Sequence, residues 1–163
     1  MRTLVAGVGN VFLGDDGFGV AVARRLADIG VPDGVEVGDF GIRGIHLAYE
    51  LTSGYDLTIL VDAIPSGRAP GTLSVVEPAP ESPTPAPGGC FVDAHAMTPD
   101  AVLTLASGLD LPRGDRVLLV GCEPADVSPG MDLSPPVAAA VPQAADLVLE
   151  LIAQEFAEEE PRC

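Results

Sequence analysis

Residues 3–22 read TLVAGVGNVFLGDDGFGVAV, an apolar run, a glycine turn and the start of a helical pattern. Thr3 to Val8 is a short apolar run that closes in Gly7-Val8-Gly9-Asn10, the pattern of a buried strand meeting a tight turn. Asp15 then stands where a helix N-cap is expected, and Phe18, Ala21, Val22, Leu26 and Ile29 recur at helical spacing as far as Gly30. The opening is basic then apolar, like a signal peptide, but it lacks a small-x-small cleavage pattern and runs straight into strand, turn and helix.

The alternation continues outward from there. Val35 to Asp39 reads as a second strand and Ile42 to Leu51 as a short helix. Leu57 to Ala63, LTILVDA, is the clearest strand, apolar for most of its length and therefore expected in the sheet centre. Thr72 to Glu77 follows after a turn too short for a crossover helix, so it is expected to run antiparallel to its predecessor. Residues 78–90 carry five prolines and read as a surface loop. A helix is expected from Pro99 to Ser107, a last strand from Arg116 to Gly121, and a long helix from Pro135 to Phe156 that contains Pro142. These elements predict a single domain over residues 1–157, a three-layer α/β/α sandwich. Its five-stranded sheet is mostly parallel and twisted, with one antiparallel strand, and an acidic tail follows at 158–163. Right-handed crossovers make 2-1-3 the natural order of the first strands.

Hydrophobic residues make up 47% of the 163 and aromatics 4%, so the core must be built from Val, Leu, Ile and Ala. The formal net charge is −16, which disfavours nucleic acid and anionic membrane surfaces as partners. The basic residues are all Arg, which excludes a P-loop lysine, a Schiff-base lysine and a Ser-Lys dyad. The longest apolar stretch, Val137 to Ile152, is interrupted by Pro142, Gln143, Asp146 and Glu150, so no transmembrane span is expected. Cys90, Cys122 and Cys163 form no pairing pattern and suit reduced thiols in a cytoplasm.

Open α/β sheets bind their ligands beyond the carboxyl ends of the strands. Those ends carry Gly9 and Asp15-Asp16, Asp39 with Gly41, Asp62, Asp93-Ala94-His95, and Cys122-Glu123. A dinucleotide site is disfavoured: Phe12 replaces the third glycine, and two carboxylates occupy the place a pyrophosphate needs. No nucleotide is expected. No nucleophile elbow of the G-x-S-x-G type is present, nor the Asp-Thr-Gly loop of aspartic proteases. Cys122 or Cys90 beside His95 could form a Cys-His pair, against the commoner fate of a small buried hydrophobe. Asp16, Asp62 and His95 together supply two hard oxygens and an imidazole from three strand ends, a set suited to a divalent first-row ion with a coordination position left open. Each has a plainer reading: Asp15 or Asp16 as a helix cap, His95 as a satisfied histidine. Asp62 at the end of a buried strand resists one, because an unpaired buried carboxylate is costly. His46 is expected on a helix surface.

Taken in order, GVGNVFLGDDGFGV, DFGIRGIHLAYEL, LTILVDA with PGTL, the D-A-H segment and LVGCEP followed by LSPPV resemble the hydrogenase maturation endopeptidases, and they cover nearly the whole chain. The resemblance implies a twisted five-stranded α/β domain. It implies a metal site at Asp16, Asp62 and His95, with Glu in some members at the position of Asp16. It makes Asp16, Asp62 and Asp39 the catalytic candidates, and Asp39 with Gly41 the candidates for substrate binding. The activity implied is removal of a short C-terminal extension from a nickel-iron hydrogenase large-subunit precursor after nickel insertion. The nickel would be supplied by the precursor and recognised there. A nickel-binding maturation chaperone without proteolytic activity would use the same three residues.

Overall fold

The computed structural model describes residues 1–78 and 116–159. Five strands, β1 (Thr3–Val8), β2 (Val35–Gly41), β3 (Leu57–Ala63), β4 (Leu73–Val76) and β5 (Arg116–Cys122), form one sheet in the order β2-β1-β3-β5-β4. The first three therefore stand 2-1-3, as right-handed crossovers require. β1, β2, β3 and β5 are parallel to one another, and β4 alone is antiparallel. The expected direction of β4 holds, but its partner is β5, which lies between it and β3. β3 is buried at all seven positions and takes a parallel neighbour on each side. β4 is four residues long and half exposed, so it suits an edge.

Strand parity divides the core between two faces. On one face Val5, Ile59, Val61 and Val120 pack against Phe18, Val22 and Leu26 of helix α1 (Phe18–Ile29). Ala140, Ala144, Val148 and Ile152 of a long C-terminal helix (Pro135–Glu159) complete that layer. On the other face Leu4, Ala6, Val8 and Leu60 pack against Leu47 and Leu51 of helix α2 (Gly44–Leu51), with Tyr55. The C-terminal helix, α3, contains Pro142 and is long and apolar enough by length and composition to cross a membrane, yet its apolar stripe is part of this core. It runs on to Glu159, so Glu158 and Glu159 extend the helix instead of opening a tail. His46 is exposed, as expected. The expected helix at 99–107, residues 79–90 of the proline-rich loop, His95, Cys90 and residues 160–163 lie outside the described residues.

Helix α1 sits unusually close to the sheet. A Cβ on Gly19 would lie 2.0 Å from the Val61 carbonyl oxygen and 2.3 Å from that of Val8. Only glycine allows this approach. It sets the start of α1 directly over the ends of β1 and β3, where the acidic residues gather.

Candidate active site

The turn after β1 is built around Gly9. Its φ of +132° suits glycine, its N–H donates to the Gly41 carbonyl at 3.0 Å, and a Cβ there would lie 1.9 Å from the Asp16 carbonyl oxygen and 3.5 Å from Asp62 Oδ1. Gly9 thus leaves the space in which the Asp16 backbone and the Asp62 carboxylate meet. Asp16 belongs to a single 3-10 turn, Gly14–Gly17. Its Oδ2 accepts a hydrogen bond from the Asn10 N–H at 2.8 Å, while Asn10 Oδ1 accepts from the Phe12 N–H at 2.9 Å.

Asp62 occupies the penultimate position of β3, opposite Gly121 of β5, and is 7% exposed. Its Oδ1 accepts from the Ala63 N–H at 2.8 Å. Burial, and then the negative charge of Asp16, push its pKa up to about 8. Near neutral pH this carboxyl therefore keeps its proton. Two neighbouring carboxylates, one of them starved of solvent, are a donor set that a divalent cation satisfies. Asp16 and Asp62 are therefore brought together at the carboxyl edge, as expected; His95 lies outside the described residues. Among the described residues no three His, Cys, Asp or Glu side chains converge as a metal site.

Asp39 pairs with Gly7 in the register of β2 and β1, two strands away from Asp62. Its carboxylate faces Arg24, with Nη2 to Oδ2 at 3.2 Å, and the Arg43 guanidinium donates to its backbone carbonyl. Gly41 ends β2 with φ of +53° and accepts the Gly9 bond, so it forms the wall of the turn beside the carboxylates.

Asp15 does not cap the helix. The 3-10 turn intervenes, α1 begins at Phe18 with Gly17 at its N-cap, and no side chain caps it. Asp15 instead points inward and is fully buried. It accepts from the N–H groups of Ala125, Asp126 and Ser134 at 2.8, 2.9 and 2.7 Å and from Ser134 Oγ at 2.8 Å. Burial acts to raise its pKa, but these bonds outweigh it and hold the carboxylate below its usual range. Glu123, just past β5, plays a similar part for the loop after β3. It accepts from Ser66 N–H and Oγ, both at 2.6 Å, and from Gly67 N–H at 3.3 Å. The Ser66 hydroxyl bond leads in holding its pKa down. The Cys122 thiol is buried and pushed up to about 11, chiefly by burial, so it is a core side chain and no ready nucleophile.

Fold and site define a single-domain α/β/α protein with a carboxylate pair at the carboxyl edge of its sheet. Residues 20–151 match the family described as hydrogenase maturation protease (HycI). The chain is 32% identical over 165 residues to the hydrogenase 2 maturation protease of Escherichia coli (strain K12), spanning 99% of this chain and 97% of that protein. The solved structure of the hydrogenase maturating endopeptidase HybD from E. coli is similar with a TM-score of 0.74 and 30% identity, covering 95% of this chain and 94% of that one. The nickel-iron hydrogenase maturation protease HybD from Thermococcus kodakarensis gives a TM-score of 0.70 at 27% identity over 93% and 99% of the two chains. The chain belongs to the hydrogenase maturation protease family.

Proposed function

We propose that this protease removes the C-terminal extension of a nickel-iron hydrogenase large-subunit precursor once nickel has been inserted, and that bound nickel is what it recognises. The observation that carries the reading is the buried carboxyl of Asp62, raised to about 8 beside Asp16 at the carboxyl edge. Nickel arrives as part of the substrate. Asp16, Asp62 and His95 add ligands to it, and the shared ion fixes the scissile bond against the enzyme, so catalysis draws mainly on proximity and orientation. Approach of the ion displaces the Asp62 proton, since a divalent charge reverses the effect of burial. Asp39 and Gly41 flank the peptide on the β2 side.

The opposite side of the site also suits a chain substrate. Phe12 and Met131 are 62% and 71% exposed and flank the bridge between Leu13 and Gly130, with exposed Val127 nearby in sequence. Exposed apolar groups grouped beside a polar site favour contact with another chain. A reducing cytoplasm, where a free Cys122 is stable, is the proposed place of action.

The test is incubation with nickel-loaded and nickel-free precursor, followed by the mass of the large subunit. Loss of the extension from the nickel-loaded form alone supports the reading. Binding without cleavage would assign the chain to the non-proteolytic maturation chaperones.

A further inference from the structure

The segment 123–134 between β5 and α3 contains no helix or strand beyond the bridge at Gly130. It is fastened to the 3-10 turn and the residues before it by main-chain bonds from Asp15 N–H to Asp126 oxygen, Gly14 N–H to Gly130 oxygen and Gly130 N–H to Phe12 oxygen, at 2.8–2.9 Å. The Asp15 carboxylate adds four further bonds, to Ala125, Asp126 and Ser134. The next residue is Asp16, turned the other way, toward Asn10 and Asp62.

We infer that Asp15 is a positioning residue: by clasping the β5–α3 segment it sets the orientation of the turn and so the placement of the Asp16 carboxylate against Asp62. Consecutive Cα atoms are about 3.8 Å apart, so a turn that rolls when the clasp opens must carry Asp16 with it. The division of labour explains two adjacent aspartates of the same chemistry. One is saturated with donors and buried; the other is partly exposed, accepts from the Asn10 N–H and lies against Asp62. An error near 1 Å in a catalytic group can cost about a hundredfold in rate. This inference rests on the reading of Asp16 as a site residue, and the experiment separates the two.

Asp15→Asn keeps the size but turns one acceptor into a donor facing N–H groups. Ser134→Ala is milder, removing the hydroxyl donor and keeping the backbone one. Both are assayed as full-length protein on nickel-loaded precursor, well below their melting temperatures, with folded fraction checked by NMR. The Asn10 amide, which donates to Asp16 Oδ2, reports the position of Asp16 independently of activity. Asp15→Asn is expected to lower kcat at least tenfold and to raise KM, because on the proposed function Asp16 also ligates the client's nickel, and to move the Asn10 amide upfield with faster exchange. Ser134→Ala should do the same to a smaller degree. Folded variants with wild-type kcat and an unmoved Asn10 amide would overturn the inference, leaving Asp15 a purely structural clasp. If Asp15→Asn does not fold, Ser134→Ala decides by the same two readouts. Asp16→Asn serves as the control. Wild-type cleavage by that variant would defeat the site reading, and the Asn10 amide alone would then decide whether Asp15 places Asp16.

Discussion

Asp62 carries opposite consequences for activity and stability. Its folded pKa, about 8, lies above the ordinary carboxylate value, so the native state holds a proton that the unfolded chain releases. Stability held through this proton is complete below the unfolded value, near 4, and is lost as pH rises through 8. Asp62→Asn should therefore abolish precursor cleavage and raise the urea midpoint at pH 8 relative to wild type, with the difference shrinking toward pH 4. Unchanged processing by this variant, or a midpoint lowered at pH 8, would show that the carboxylate is a structural anchor. Asp15 has the reverse sign. Its folded pKa is depressed, so its contribution is present above the unfolded value and is lost as pH falls through the folded one. Acid unfolding of wild type should accordingly be steeper than that of Asp15→Asn. The sequence marks both residues as acidic groups at strand ends, but only Asp62 was legible in its environment, because a run as apolar as LTILV fixes burial locally. A cap and a clasp ask for the same residue at the same place, and the partners of Asp15 lie more than a hundred positions away.

Among the elements, α1 and the turn before it depend on close backbone approach. Gly19→Ala puts a methyl 2.0 Å from the Val61 carbonyl oxygen, where only movement of the helix can relieve it. The expected cost is about 2 kcal/mol or more, in the range of overpacked cores, read as a lower urea midpoint; a loss below about 0.5 kcal/mol, the scale of ordinary surface changes, would mean that α1 is free to shift. Strand identities and the 2-1-3 order were readable because short apolar runs, glycine turns and helical spacing are local signals constrained by a chirality rule. The place of β5 was not. Which strand an edge element pairs with is chosen by burial of the whole sheet, and the buried length of β3 favours a second long parallel neighbour over the short, half-exposed β4.

The whole molecule carries a net charge of −16, and Phe12 and Met131 stand exposed beside the bridge between Leu13 and Gly130. A charge of that size steers a basic or metal-bearing client, and such steering is screened over about 8 Å at physiological salt. Raising ionic strength should lower kcat/KM on the precursor with kcat little changed. Met131→Asp should raise KM several-fold with no loss of stability; an unchanged KM would place the docking surface elsewhere. On the proposed function the client's own nickel completes the site. The deciding experiment is the mass of the large subunit after incubating the enzyme with precursor made with and without nickel, each with a chelator present to remove free metal. Nickel-loaded precursor is expected to lose its extension while nickel-free precursor stays full length. Efficient cleavage of the nickel-free precursor would contradict the proposed function.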